Sequence, residues 1–150
     1  MKTPFIAIAL LMSGQALAER QYLEKVFSRY NETGTYMLTC KFFDKKVEIT
    51  EFTGDASSLR VEPTSFSGDY LDGLINQASW RDLTAKKFNI CDGGSLAVKG
   101  FTSDGTQFIL KHYEDCGPAI AVRQGAAAKK LRSIVSTYCP SDEFGGGGKE

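Results

Sequence analysis

The seven residues KHYEDCG, at positions 111–117, place the only histidine of the chain four residues before a cysteine, with two carboxylates between them. Such a set has three interpretations: a cysteine–histidine nucleophile, a metal site, or the end of a β-strand. A catalytic pair requires the thiolate within hydrogen-bonding reach of the imidazole. In an extended strand, His112 and Cys116 lie more than about 10 Å apart, at roughly 3.3 Å per residue. The spacing favours a strand end, and we assign no catalytic or metal-ligating residue.

The N-terminus has the layout of a secretory signal peptide. Lys2 gives a positive start, residues 4–12 form an apolar run, and residues 16–18, Ala-Leu-Ala, form a small-x-small cleavage site. The apolar run is shorter than the roughly 20 residues needed to span a bilayer. We therefore predict a signal peptide over residues 1–18, cleavage after Ala18, and a periplasmic or secreted mature protein.

The cysteines Cys40, Cys91, Cys116 and Cys139 form no C-x-x-C motif, which argues against a zinc site or a thioredoxin-like redox centre. An even number of cysteines behind an export signal predicts disulfide bonds. Four cysteines allow three pairings, and sequence alone does not choose among them. Because Cys91 and Cys116 flank a predicted hairpin and emerge at one end of the sheet, we favour that pair, which leaves Cys40 for Cys139.

Charge and length restrict the class of protein. The 18 basic residues balance the 18 acidic residues, so a surface for nucleic acid or anionic membrane is not predicted. No cofactor-binding motif is present, and no segment after residue 18 is apolar enough to cross a membrane. Residues 19–140 are long enough for a single domain with its own core. Residues 141–150, SDEFGGGGKE, predict a flexible tail.

Apolar periodicity predicts an α+β fold, in which an antiparallel sheet of about six strands packs with three helices. The helices are predicted over residues 19–31, 67–80 and 125–139, and the strands over residues 35–43, 46–52, 59–63, 86–91, 96–102 and 106–114, with residues 119–124 as a further candidate. A shift of 49 residues aligns Phe52-Thr53 with Phe101-Thr102. This alignment raises the alternative that the sheet consists of two βββα halves.

The clearest hairpin covers residues 96–114, with a three-residue loop over residues 103–105 that ends in glycine, where a left-handed backbone is needed. In the simplest register of this hairpin, Leu96 faces His112. That register predicts His112 as a structural residue on the same apolar face as Leu110.

Two loops on this cross-linked frame are the candidate binding surfaces, Thr64–Tyr70 and Asp92–Ser95. The residues predicted to bind a partner are Ser67, Asp69, Tyr70 and Asp92. Ser67 or Asp69 is also expected to cap the second helix. Preorganised loops reduce the ordering cost of binding.

The favoured function is therefore a non-catalytic module that binds another envelope or secreted protein, as an inhibitor, immunity or accessory protein. One alternative is a small hydrolase that uses His112 with a carboxylate. The other is a carrier that encloses an apolar ligand near Phe42, Phe108 or Leu110.

The stretches YMLTC, at 36–40, and SFSGDY, at 65–70, are similar to motifs of small periplasmic lysozyme inhibitors. That family carries a Tyr-x-Cys start and a Ser-x-x-Gly loop that enters the enzyme's cleft. The spacing here departs from the family at Tyr36 and Cys40, and the second half of the chain has no counterpart there. The resemblance implies an inhibitor-like role, and no residue role is transferred from it.

Overall fold

The structure, a computed structural model, describes residues 18–32, 34–87, 91, 93–117 and 119–141. In chain order the elements are β1 (Leu23–Asn31), β2 (Gly34–Phe43), β3 (Lys46–Thr53), β4 (Ala56–Pro63), α1 (Gly68–Ala78), β5 (Leu83–Lys87), β6 (Gly94–Phe101), β7 (Gln107–Tyr113), β8 (Ala119–Arg123) and α2 (Ala126–Tyr138). Except for Ala18 and Ser141, the predicted signal peptide and tail lie outside the described residues.

All eight of these strands belong to one antiparallel sheet, with the order β4-β3-β2-β1-β6-β7-β8-β5. The central strand β1 pairs with β2 on one side and with β6 on the other. Consecutive strands are neighbours from β1 to β4 and again from β6 to β8, as expected for strands joined by short turns. Strand β5 instead pairs with β8, so β4 and β5 are the two outer strands.

The core lies on one face of this sheet, because successive side chains of a strand point to opposite faces and only alternate ones are buried. Both helices bury residues in the same cluster, so they cover the same face. The strands contribute Leu23, Phe27, Leu38, Cys40, Phe42, Val47, Ile49, Leu96, Val98, Phe108, Leu110 and Tyr113, and the helices contribute Leu71, Ile75, Ala78, Ala128, Leu131, Ile134 and Val135. In the part of the chain that the structure describes, no helix covers the opposite side, which we call the open face.

The helix predicted over residues 19–31 is wrong, because most of this segment is the strand β1. Its apolar residues fit both the helical repeat of 3.6 residues and the strand repeat of two. Val26 lies on the open face of the sheet, but in the sequence it completes an apparent helical stripe. The alternation typical of a strand is also hidden by a lysine at an inward position. Lys25 is only 1% exposed, and its ammonium group donates a hydrogen bond to the Cys139 carbonyl at 3.0 Å.

The predicted fold class, with about six strands and three helices, is also wrong. The structure is mostly antiparallel sheet, with eight strands and only two helices among the described residues. The helices predicted over residues 67–80 and 125–139 are present as α1 and α2. A shift of 49 residues places β3 on β6 and β4 on β7, but it places α1 on the whole of β8 and the start of α2. The alignment therefore relates like elements for two strands and fails at the helix.

A β-bulge moves His112 to the open face. The register between β6 and β7 shifts between Val98 and Lys99, so that His112 faces Ala97 instead of Leu96. One extra residue in a strand reverses the facing of every residue beyond it. His112 is the penultimate residue of β7, near the strand end as predicted, but the prediction that it lies on the apolar face is wrong.

Two disulfides cross-link the described residues, and they are the favoured pairs Cys40–Cys139 and Cys91–Cys116. The first is buried and joins the sheet to the end of α2. The second closes a separation of 25 residues around the β6–β7 hairpin. Disulfides form and persist in oxidising environments, so the two bonds are consistent with a periplasmic or extracellular location.

Candidate protein-binding surface

The segment between β4 and α1 is fixed against the turn that joins β2 to β3. Lys45, in that turn, has a φ of 56°. Its N–H donates to the Phe66 carbonyl at 3.1 Å, and its carbonyl accepts from the Thr64 N–H at 2.8 Å. The Asp44 carboxylate of the same turn accepts from the Gly68 N–H at 2.7 Å. The loop is therefore hydrogen-bonded to the sheet at both of its ends.

Ser67 caps the N-terminus of α1. Its side chain accepts a hydrogen bond from the Tyr70 N–H at 3.3 Å, which satisfies one of the free donors of the first helical turn. Of the two caps that the sequence allowed, Ser67 is the one used. Asp69 lies exposed in the first turn, where the positive end of the helix dipole favours a carboxylate.

Three aromatic rings meet where this loop approaches the end of α2, and we call Phe66, Tyr70 and Tyr138 the aromatic corner. Phe66 stacks on Tyr70, with ring centroids 5.7 Å apart and an interplanar angle of 17°. It also meets Tyr138 edge-on, at 5.8 Å and 80°. The Tyr138 hydroxyl lies 3.4 Å from both the Ser65 N–H nitrogen and the Ser65 hydroxyl. Tyr70 is 44% exposed, so one ring of a rigid cluster faces solvent.

The N-terminal segment fixes α1 from a second side. Arg20 makes a bidentate ion pair with Asp72, and hydrogen bonding to that carboxylate raises the pKa of Arg20. The guanidinium carbon lies 4.5 Å from the centroid of the Tyr22 ring. Tyr22 in turn packs so closely on Gly68 that a methyl group at Gly68 would overlap the Tyr22 hydroxyl. The start of α1 is therefore held by the sheet, the loop and the N-terminal segment together.

His112 lies elsewhere, in an open depression of about 420 Å³ on the open face. The depression forms where β1 and β6 carry short side chains, such as Ser28, Ser95 and Ala97. The His112 Nε2 atom is 3.6 Å from a Glu114 carboxylate oxygen, and the imidazole is 40% exposed. This separation exceeds the usual hydrogen-bond length. The structure thus brings His112 near a carboxylate, at a site open to solvent.

The second predicted loop is described only in part, since Asp92 lies outside the described residues. Its neighbour Gly93 donates its N–H to the Asp115 carboxylate at 2.9 Å. The side chains considered for an apolar-ligand cavity, Phe42, Phe108 and Leu110, are buried in the core cluster and do not line the depression.

Two exposed apolar side chains on β4 were not predicted from the sequence. Leu59 and Val61 are 65% and 56% exposed. Strand alternation suggests Leu59 and Val61 as core residues. In the structure, however, Arg60 is opposite the buried Ile49, so Arg60 and Glu62 lie on the helix-covered side of the sheet. Leu59 and Val61 therefore lie on the open face. The sequence signal was the alternation of apolar and charged residues, which does not say which set points inward.

A scan against protein-family models and a search of curated proteins each give no match to this chain. Among the described helices, none is both long and apolar enough to span a membrane. Among all residues that the structure describes, no three His, Cys, Asp or Glu side chains form a group suited to hold a metal ion.

Proposed function

We propose that the chain is exported, with cleavage after Ala18, and that the mature periplasmic or secreted protein binds another envelope or secreted protein without catalysing a reaction. The binding surface is the aromatic corner together with Asp69. The observation that carries the proposal is the exposed Tyr70 ring, stacked on Phe66 in a loop whose backbone is hydrogen-bonded to the sheet.

Rigidity supports this surface as a recognition site. Tyrosine offers a large contact area with few rotatable bonds, and it is enriched among the residues that dominate interface energies. The Phe66 stack already restricts the Tyr70 ring. The Cys40–Cys139 disulfide fixes the residue that follows Tyr138. Little conformational freedom remains to be lost on binding, so more of the contact energy contributes to affinity.

The chemistry of the surface defines the partner in general terms. Tyr70 projects an aromatic ring, and the neighbouring Asp69 carboxylate is exposed and has no ion pair with another described residue. A complementary partner has an apolar pocket for the ring, with a lysine or arginine at its rim. Complementary charges at the rim mainly increase the association rate and the specificity.

The proposal is tested by capture from envelope extract on the immobilised mature protein, in parallel with matched variants. Tyr70→Ala removes the exposed ring, and we expect it to weaken binding by about 2 kcal/mol, roughly thirtyfold in Kd. Trp80→Ala is the control, since Trp80 is 66% exposed but lies beyond the other end of α1. The proposal predicts a protein retained by wild type and Trp80→Ala but lost with Tyr70→Ala. Identical retention by all three would contradict it.

The same experiment tests whether a partner binds at the depression, as the hydrolase alternative requires, which the proximity of His112 and Glu114 there favours. His112→Gln leaves the aromatic corner unchanged, so it should capture the same protein as wild type. Loss of the captured protein with His112→Gln, but not with Tyr70→Ala, would move the functional site to the depression.

A further inference from the structure

The two outer strands of the sheet differ in how far they are protected from pairing with another strand. Strand β5 has five residues, and two of them are lysines, Lys86 and Lys87. Short edge strands and lysines are common means of preventing edge-to-edge association. Strand β4 has eight residues, no lysine and an unbroken register with β3. Its Leu59 and Val61 side chains are more than half exposed.

The hydrogen bonds of β4 define which of its backbone groups point away from the sheet. The Thr64 N–H donates to Lys45 in the β2–β3 turn, on the β3 side. Backbone N–H groups alternate in direction along an antiparallel strand, so Glu62, Arg60 and Ser58 also point towards β3. The outward set is then Ser57, Leu59, Val61 and Pro63. Proline has no N–H, and an outward position on an edge strand is where this loss is tolerated.

We propose that β4 pairs with β4 of a second copy of the chain, antiparallel and centred on Val61, to form a symmetric dimer with one continuous sheet. The two Val61 residues then exchange N–H···O=C hydrogen bonds. Each Leu59 N–H donates to the Pro63 carbonyl of the other copy. Because proline has no N–H, the Leu59 carbonyl receives no hydrogen bond in return.

Charge complementarity argues for a second copy as the occupant and for this register. In each chain Arg60 pairs with Glu51 at 2.6 Å and with Glu62 at 2.9 Å, so two carboxylates share one guanidinium group. Pairing centred on Val61 places Arg60 of each copy opposite Glu62 of the other, at both sides of the symmetry axis. Residues opposite each other in such non-hydrogen-bonded pairs have their side chains closest. Each Glu62 thereby gains a second guanidinium group.

The apolar side of the new pairing is equally symmetric. The Val61 side chains of the two copies face each other on the open face. Each Leu59 lies diagonally across from the Val61 of the other copy, at a distance that long side chains can bridge. A single strand pair is a small interface, so we expect weak, concentration-dependent association in the micromolar range.

The first test is sedimentation equilibrium of the purified mature protein over a range of concentrations, with charge variants. Arg60→Glu and Glu62→Arg each place like charges opposite one another twice per dimer, and each should raise the dimer Kd roughly tenfold or more. The double variant Arg60→Glu/Glu62→Arg restores opposite charges and should recover much of the association. Thr84→Lys on β5 is the control and should change nothing. Circular dichroism and thermal unfolding of each variant establish that it is folded.

The second test determines the register by oxidative cross-linking of single cysteine variants. Val61→Cys places two thiols opposite one another, about 5.5 Å apart at Cα, which suits a disulfide. Leu59→Cys places them four residues out of register, too far to bond. A covalent dimer from Val61→Cys alone supports the proposal. A monomer at every accessible concentration would overturn it, as would a dimer indifferent to the charge variants or cross-linked preferentially through Leu59→Cys.

Discussion

Loss of the Cys40–Cys139 disulfide is expected to destabilise the protein more than loss of Cys91–Cys116. In the chain-entropy description a disulfide restricts the unfolded chain, and its contribution grows with the logarithm of the loop length. The sequence separations are 99 and 25 residues. They correspond to about 4.7 and about 3.5 kcal/mol of stabilisation.

Burial increases this difference. Cys40 and Cys139 are 0% and 1% exposed, so alanines at these positions also leave a cavity in the core, at about 1 kcal/mol. Cys91 and Cys116 are exposed, and their replacement leaves no comparable cavity. We therefore expect Cys40→Ala/Cys139→Ala to lower the free energy of unfolding by roughly 5–6 kcal/mol and Cys91→Ala/Cys116→Ala by roughly 3.5 kcal/mol.

Urea unfolding followed by far-ultraviolet circular dichroism measures both values. The m-value should rise in each variant, because the unfolded chain without its cross-link exposes more surface. Chemical reduction of the Cys91→Ala/Cys116→Ala variant is the control for cavity effects, since it breaks Cys40–Cys139 without removing a sulfur atom. An equal loss for the two disulfides, or a larger loss for Cys91–Cys116, would refute the reasoning from loop length and burial.

Two further predictions concern local contacts. Gly68→Ala should destabilise by about 1–3 kcal/mol because its methyl group overlaps Tyr22, whereas Gly73→Ala, with open space around it in the same helix, should stabilise by about 0.5–1 kcal/mol. Thermal unfolding measures the stability change of both variants. If Gly68→Ala were equally destabilising in a Tyr22→Ala background, overlap with Tyr22 would not be the cause. Hydrogen bonds from Thr102 and Thr106 lower the pKa of Asp104 from 3.8 to about 2. The ionised Asp104 therefore contributes its full stabilisation above about pH 4, and this contribution is lost as the pH falls towards 2. The melting-temperature difference between wild type and Asp104→Asn should shrink over that window, and a constant difference would argue against it.

The elements predicted correctly are those specified by local chemistry. The three-residue turn of the β6–β7 hairpin has Gly105 at a φ of 84° and a hydrogen bond from the Thr102 N–H to the Thr106 carbonyl at 2.9 Å. The helix α1 has an amphipathic stripe with a serine cap at its start. The helix α2 has a similar stripe, and Pro140 follows its end. Turn, cap and stripe each depend on neighbours within a few positions, so the sequence carries them directly.

The errors arise where tertiary context decides. The inward side of β1 includes Lys25, which is tolerated because its ammonium group binds the Cys139 carbonyl from the other end of the chain. The bulge that turns His112 outward adds one residue to β7 without any glycine or proline to mark it. In β4 the charged set faces the helix-covered side because the strand is outermost. None of these contacts is local, so periodicity alone could not predict the candidate site's surroundings.

The proposed dimer and the proposed binding surface are independent, yet β4 connects them. Strand β4 ends at Pro63, and the loop that leads to Phe66 begins at the next residue. Phe66 is five residues from the symmetry axis at Val61, so it lies at most about 16 Å from the axis at the rise of an extended strand. Pairing through β4 would therefore present two aromatic corners on opposite sides of the axis, at most roughly 30 Å apart along the strands. A partner with a repeated or symmetric surface would engage both, and the second contact would form at high effective concentration. Weak self-association of the edge strand would then increase the avidity of a surface whose single contact is modest.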